Sequence, residues 1–191
     1  RMQLNPHFLF NTLNAITVLV RDGERVRAEQ ALELLSALLR ETLGQEPQQL
    51  VPLGEEVEFV RRYLAIEQLR FEDRLRTQFN VPQQLEDAQV PAFILQPLIE
   101  NAIRHGIRDR AQGGTVRVVA AGGAGTLEVR VEDDGAGPAG TPSVGTGVGL
   151  ANTRERLRVL YGAGAALDLL PLAGGGTCAR LRLPLAHAEQ D

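Results

Sequence analysis

A histidine near the start of the chain lies in a context that suits nucleophilic chemistry. His7 follows a proline and lies within the segment Leu4-Asn5-Pro6-His7-Phe8-Leu9-Phe10-Asn11-Thr12-Leu13-Asn14, which is largely apolar after the histidine. A neutral imidazole nitrogen can attack an electrophilic phosphorus or carbon. For His7 alone, a capping or partly buried histidine is the simpler interpretation, so the rest of the chain decides.

Polar side chains share one face of a helix expected at about residues 91–107. Asn101, Arg104, His105 and Arg108 fall at i, i+3, i+4 and i+7, which places them on one side of the helix. An amide oxygen suits Mg²⁺, and a guanidinium binds phosphate oxygens. This face could therefore serve a nucleoside triphosphate, whereas a solvated polar face is the simpler interpretation of the helix in isolation.

Two glycine-rich segments follow along the chain. Asp133-Asp134-Gly135-Ala136-Gly137 comes directly after a predicted strand, where a carboxylate could accept a hydrogen bond from an amino group such as adenine N6. Gly145-Thr146-Gly147-Val148-Gly149-Leu150 begins a helix, whose N–H groups and dipole attract phosphate. It is not a Walker loop, because no Gly-Lys-Ser/Thr follows. Taken singly, the first segment could be an acidic turn, and the second is weak support for a nucleotide site.

The elements that would position these residues fall into two regions. Apolar periodicity predicts helices at about residues 5–21 and 26–43, and a hairpin this apolar most simply pairs with a second copy as a four-helix bundle. Beyond a polar linker near residues 44–49, helices are predicted at about 53–71, 91–107 and 148–161. Strands are predicted at about 75–81, 115–120, 126–132, 166–170 and 177–183. This order predicts an α/β sandwich with a mixed sheet of about five strands.

Composition excludes several classes of protein. The net charge of -4 and the 4% aromatic content argue against a nucleic-acid binder. Cys178 is the only cysteine, which excludes an internal disulfide and a cysteine-rich metal site. No apolar run approaches the roughly 18 residues of a membrane span, and no signal-peptide pattern is present. Because the chain begins so close to the His7 motif, we expect it to be a soluble fragment of a longer protein.

The order and spacing of the segments resemble the ATP-binding domain shared by gyrase, Hsp90, histidine kinases and MutL. The resemblance rests on residues 97–106, 134–137, 145–150 and 176–177. With residues 4–14 in front, the chain resembles the sensor histidine kinases of the LytS/YehU type. This resemblance implies an α+β organisation: a dimerisation and phosphotransfer hairpin over residues 1–46, a Bergerat-type ATP-binding domain over 47–187 and a tail over 188–191.

The resemblance also implies roles for individual residues. His7 is the expected phosphoacceptor, Asn101 the Mg²⁺ ligand and Asp134 the aspartate that reads adenine. The remaining nucleotide contacts are expected from Arg104, His105, Gly135, Gly137, Gly145, Gly147, Val148, Gly149, Leu150 and Thr177. Arg104 stands where a lysine is common in this family, and it keeps the charge while changing the geometry. Residues 138–144 are the expected ATP lid.

Two further residues are expected to act on His7. Many histidine kinases place an acid directly after the histidine to orient its ring, but here that position is Phe8. Glu100 is the candidate for the orienting base. Asn11 lies one helical turn after His7 and is expected to position water for dephosphorylation, although an ordinary polar surface residue is the simpler interpretation of Asn11 alone.

The expected activity is ATP-dependent autophosphorylation of His7 and transfer of the phosphoryl group to an aspartate of a response regulator of the LytTR type. ATP and Mg²⁺ are the expected cofactors, and the parent protein is expected at the cytoplasmic face of the bacterial inner membrane. Two alternatives remain open: an ATP-binding module that has lost transfer, and a plain ATPase in which Glu100 activates water. The sequence does not choose between transfer within one chain and transfer between chains.

Overall fold

A helical hairpin leads into a sandwich of helices on a mixed sheet. The computed structural model describes residues 6–44, 49–108, 110–135, 137 and 147–187. The helices are α1 (Pro6–Arg21), α2 (Arg25–Gly44), α3 (Leu53–Phe71), α4 (Gln96–Ala102) and α5 (Gly147–Tyr161). The strands are β1 (Leu50–Pro52), β2 (Leu75–Asn80), β3 (Gln89–Pro91), β4 (Gly114–Gly123), β5 (Thr126–Asp133), β6 (Ala166–Pro171) and β7 (Thr177–Pro184). The predicted α+β class is confirmed.

The hairpin buries one face and leaves a second apolar face in water. The buried positions on α1 are Phe8, Thr12, Ile16 and Leu19, spaced four, four and three apart as one side of an amphipathic helix requires. Gly23 makes the turn to α2 with a φ of 79°, which favours glycine. Large apolar side chains remain exposed at Phe10, Leu13, Val18, Val20, Val26, Leu32 and Leu43. A helical hairpin with this many exposed large apolar side chains is typical of an interaction surface.

The main sheet has five strands in the order β2-β4-β5-β7-β6. β2 and β4 are parallel, whereas every other neighbouring pair in this sheet is antiparallel, so the predicted mixed sheet of about five strands is confirmed. A second sheet, β1 with β3, joins two strands of three residues each and was not predicted. The core of the sandwich lies between the main sheet and the helices, among side chains such as Phe59, Leu98, Ile99, Leu127 and Leu181.

The helix predicted at residues 91–107 begins later and ends differently. Residues 89–91 form β3, and α4 begins only at Gln96. The backbone N–H groups of Phe93 and Leu95 donate hydrogen bonds to the buried carboxylate of Glu56, the second at 3.1 Å, and Phe93 has a φ of 58°. These contacts hold residues 92–95 out of the helix. Ile103–Ile107 then form a π-helical turn that extends α4.

Cys178 is buried in β7, as is common for a small apolar side chain. Among the helices that the structure describes, we find none that is long and apolar enough to cross a membrane.

Candidate functional site

A cavity of about 260 Å³ is lined by residues of both the hairpin and the sandwich. Its lining comes from four helical elements: α1, α3, α4 with its π-helical turn, and the first turn of α5. The predicted site residues that line it are His7, Glu100, Asn101, Arg104, Gly149 and Leu150. The structure therefore brings the candidate phosphoacceptor and the candidate phosphate-binding wall of one chain into a single cavity.

His7 and Asn11 form a pair on the edge of α1. The Asn11 Nδ2 atom lies 3.0 Å from His7 Nδ1, as residues one helical turn apart can. An asparagine amide can also present its oxygen in the same place after a flip. The Nδ2 atom also lies 3.4 Å from His7 Nε2, so the Asn11 amide is close to both nitrogens of the ring.

Two carboxylates face the cavity that His7 lines. Glu100 is half-buried, and the Gln96 amide donates a hydrogen bond to its Oε1 at 2.8 Å. Burial raises the pKa of Glu100, while the Gln96 hydrogen bond and the Arg104 charge oppose that rise. Burial likewise raises the pKa of Glu67, against the opposing charge of Arg70. A carboxylate with a raised pKa is a stronger base, so both groups can take a proton from an imidazole.

Glu67 was not among the predicted site residues, although a signal for it was present. The apolar stripe of α3 runs through Leu53, Val57, Val60 and Leu64, at spacings of four, three and four. Glu67 is the next position in this stripe and is buried. Because a charged residue at a core position is rare unless paired or functional, the interruption of the stripe marks it.

Cationic and amide groups form the phosphate-facing part of the cavity. Arg70, Arg104 and Arg108 line it together with Asn101. Arg70 also pairs with Glu67 at 3.0 Å. Guanidinium groups can bind phosphate oxygens through two parallel hydrogen bonds, so the arginines of this cavity could bind phosphate in a chain without lysine.

The aspartate predicted to read adenine is turned away from the helices. The Asp134 carboxylate accepts a hydrogen bond from the Thr115 N–H at 2.8 Å and lies 3.5 Å from the Arg110 guanidinium. Its side chain is 50% exposed. Asp133, in contrast, is only 3% exposed, and its Oδ1 accepts from the Gly135 N–H at 2.9 Å. The geometry therefore favours Asp133 over the predicted Asp134 as the candidate aspartate for adenine.

Strand alternation explains why Asp133 is buried and Asp134 is exposed. Leu127, Val129 and Val131 of β5 are buried and share one face of the sheet, and Asp133 is the next residue of that series. Asp134 follows with the opposite orientation, as the two-residue period of a strand requires. Asp133 also lies two residues before Gly135 and four before Gly137. The alternation along β5 therefore distinguishes Asp133 from Asp134 in the sequence itself.

Glycines surround the Asp133 carboxylate so closely that side chains would not fit. A Cβ added at Gly106 would lie 2.6 Å from Asp133 Cβ, and one at Gly135 would lie 2.7 Å from Asp133 Oδ1. Gly176 has a φ of 95°, and its Cβ would meet the Asp133 carbonyl oxygen at 1.9 Å. Burial raises the pKa of Asp133, opposed by hydrogen bonds from the backbone of Gly135 and Thr177. The Asp133 carboxylate is therefore enclosed by backbone that only glycine permits to approach so closely.

The remaining residues that were predicted to contact the nucleotide lie in different parts of the structure. Thr177 is buried and pairs with Asp133 across β5 and β7. Gly137 has a φ of 85°, Gly147 begins α5 and Val148 follows it there. His105 is exposed and is not among the described residues that line the cavity, because the π-helical turn changes the phase of the helix after Asn101. Gly145, the side chain of Val148 and the predicted lid at 138–144 lie outside the described residues.

Comparison with known proteins gives matches over both regions. Residues 1–75 match the histidine kinase family model, and residues 86–187 match the model for histidine kinase-, DNA gyrase B- and HSP90-like ATPases. The sensor histidine kinase BtsS of Escherichia coli K12 is 38% identical over 95% of this chain and 32% of its own length. The sensor protein LytS of Bacillus subtilis 168 is 34% identical over 98% of this chain and 33% of its own. The chain thus spans about one third of the length of these curated relatives.

Solved structures share the fold. The histidine kinase domain of the blue-light activated kinase EL346 from Erythrobacter litoralis aligns with a TM-score of 0.54 at 22% identity, over 83% of this chain and 73% of that one. The catalytic domain of the histidine kinase ThkA aligns with a TM-score of 0.57 at 18% identity, over 71% of this chain and 94% of that one.

Proposed function

The chain belongs to the histidine kinase family, and from that premise we propose that it is the catalytic region of a two-component sensor kinase that uses ATP to phosphorylate His7. One observation carries the proposal: His7 lines the same cavity as Asn101 and Arg104. A plain ATPase or a nucleotide-binding module has no need of a histidine at that place. Those alternatives are therefore not favoured.

The chemistry of the site fits a nucleotide. We assign the adenine amino group to the Asp133 carboxylate, which is buried beside the glycines at 106, 135 and 176. The triphosphate would lie toward Asn101, Arg104 and the first turn of α5, where backbone N–H groups carry positive partial charge. Thr177 would support the ring beside Asp133.

Asn101 is the proposed protein ligand for Mg²⁺. Among the described residues, no group of three or more His, Cys, Asp or Glu side chains could hold a metal ion. This composition fits Mg²⁺, which usually keeps several waters and is held by one or two protein oxygens together with the phosphates of its substrate. Magnesium bound there would offset negative charge on the phosphate oxygens.

The proposed reaction is an in-line displacement. One imidazole nitrogen of His7 forms a bond to the γ-phosphorus, and the bond between that phosphorus and the β,γ-bridging oxygen breaks, so that ADP leaves with the electron pair. The proton on the other imidazole nitrogen passes to a carboxylate. Glu100 is the proposed acceptor, because burial raises its pKa and it lines the cavity with His7.

The phosphoryl group then passes to an aspartate of a response regulator, for which we propose the LytTR type. Asn11 is proposed to position a water molecule that hydrolyses the phosphoaspartate of the regulator. The exposed apolar face of α1 and α2 is proposed to pair with a second copy, which completes a four-helix bundle. We place the full-length sensor kinase at the cytoplasmic face of the bacterial inner membrane, and we propose no nucleic-acid partner.

Incubation with γ-labelled ATP tests the activity. Acid-labile label is expected on the protein, and His7→Gln should remove it. His187→Gln, a histidine on an isolated bridge to Ala88 far along the chain, is the matched control and should label normally. Free phosphate without labelled protein would instead indicate a plain ATPase, and absence of both would indicate a binding module.

Asn11→Ala tests the second role in the same preparation. With the phosphorylated response regulator added, we expect Asn11→Ala to release phosphate from the regulator to water more slowly than the wild type. Unchanged dephosphorylation would remove Asn11 from that role.

A further inference from the structure

A pair of aromatic rings connects the phosphoacceptor helix to the catalytic domain. Phe8 of α1 and Tyr63 of α3 stack with ring centroids 4.4 Å apart and planes inclined by 15°. Both side chains are buried, at 3% and 5% exposure. Phe8 directly follows His7, and Tyr63 lies in the wall of the cavity that His7 lines.

The stack fixes the direction in which His7 points. Successive residues of an α-helix are about 100° apart around its axis, so the side that buries Phe8 against α3 also sets the orientation of His7. Thr12 and Ile16 continue the buried stripe that begins at Phe8. His7 is therefore held at the border of this stripe, at the cavity.

A second contact holds the other helix of the hairpin to α3. Glu41 of α2 and Arg62 of α3 form an ion pair at 3.2 Å, with both side chains largely shielded from water. Arg62 directly precedes Tyr63, so each helix of the hairpin contacts the same segment of α3. Two neighbouring attachments restrict rotation of the hairpin about either one.

We propose that the Phe8–Tyr63 stack is the docking contact that presents His7 to the nucleotide cavity of its own chain, so that phosphoryl transfer occurs in cis. This inference rests on the proposed kinase function. The nitrogen–phosphorus bond forms, and the bond to the bridging oxygen breaks, at a nucleotide bound by the same polypeptide. Phe8 and Tyr63 are positioning residues, which act through the placement of His7.

Docking can be measured without nucleotide, because the chain has two tyrosines and no tryptophan. In a Tyr161→Phe background, tyrosine fluorescence reports Tyr63 alone. Acrylamide should quench it weakly while the stack is intact and at least about twofold more strongly in Phe8→Ala. Asn14→Ala is the control on the same helix, because Asn14 is exposed and outside the stack, and it should leave the quenching unchanged. Equal quenching with and without the Phe8 ring would overturn the docking contact.

Kinetics separate positioning from folding and from nucleotide binding. Phe8→Ala and Tyr63→Ala should each lower the rate of autophosphorylation at saturating ATP by about tenfold, with little change in ATP affinity. Tyr63→Phe keeps the ring and should retain the rate. A Phe8→Ala protein that is folded by circular dichroism and labels at the wild-type rate would refute the positioning role.

Mixed dimers test transfer in cis. One chain carries His7→Gln, and the other carries Asn101→Ala, which removes the proposed Mg²⁺ ligand. In cis neither chain can be labelled, so mixing should add no label, whereas transfer between chains would label the Asn101→Ala chain and overturn the inference. Should the wild type itself fail to label, the kinase function fails, and the quenching experiment still decides whether the rings dock.

Discussion

Two adjacent aspartates allow a sharp test of the nucleotide site. Asp133 and Asp134 are chemically identical neighbours, but the first is buried among glycines and the second is half-exposed on the opposite face. We predict that Asp133→Asn weakens ATP binding strongly and that Asp134→Asn does not. The second variant is a control of the same size, charge change and chain position.

The magnitude follows from the hydrogen bonds at Asp133. Its Oδ1 already accepts from the Gly135 N–H, so an amide at this position would present its NH₂ group toward the amino group of adenine. The variant loses a charge-assisted hydrogen bond worth about 1.5–3 kcal/mol, which is about a 10- to 100-fold loss of affinity. For Asp134→Asn, the exposed pair with Arg110 at 3.5 Å is worth about 0–1 kcal/mol to folding, and ATP affinity should change by less than about twofold.

Calorimetric titration with ATP and with inosine triphosphate measures the effect. Inosine carries a carbonyl where adenine carries its amino group, so Asp133→Asn should lower the preference for ATP over inosine triphosphate, and Asp134→Asn should preserve it. Folding of both variants is checked by circular dichroism. An equal loss of ATP affinity in the two variants, or a loss confined to Asp134→Asn, would refute the assignment of Asp133.

Three further predictions concern stability and catalysis. Burial raises the pKa of Glu56 from 4.5 to about 7, so the folding stability linked to this group is complete below pH 4.5 and falls by about 3 kcal/mol as pH rises through 7. Urea unfolding at pH 5 and at pH 8 should therefore show a smaller decline in stability for Glu56→Gln than for the wild type. A decline equal to that of the wild type would contradict this. Gly176→Ala should lower the free energy of unfolding by about 3 kcal/mol or more, because φ is 95° and the Asp133 carbonyl is too close. Gly174→Ala, with no atom within 4 Å of its Cβ, should be near neutral in the same urea titration, and equal effects would contradict the close approach. Glu100→Gln should slow labelling of His7 while ATP still binds, and a wild-type rate would remove Glu100 as the proton acceptor.

Local pattern was sufficient for elements whose boundaries are set by their own residues. The 53–71 helix was predicted with the bounds that the structure has, because its apolar stripe and its ends are encoded within the segment. The five strands of the main sheet followed from alternation and glycine turns. The β1–β3 sheet was missed, since three-residue strands are too short to show a period.

Contacts between distant residues account for what the sequence did not reveal. The Glu56 carboxylate accepts hydrogen bonds from the backbone of Phe93 and Leu95. The sequence of residues 91–95 contains no feature that predicts this distant partner. The stack of Phe8 on Tyr63 joins residues of different predicted regions. Asp133 is different, because the alternation of buried residues along β5 already distinguishes it from Asp134 in the sequence.

The π-helical turn at Ile103–Ile107 lies between Asn101 at the cavity and the contact of Gly106 with Asp133, which are the two ends of the proposed nucleotide site. Asn101 precedes the turn and lines the cavity, while Gly106 lies within it and abuts Asp133. A π-helical turn contains one residue more than the α-helical turn it replaces. Deleting one residue from this segment would restore regular helix and rotate Gly106 by about 100° relative to Asn101. The spacing between the proposed base and phosphate sites thus depends on one backbone segment and on the extra residue of its π-helical turn.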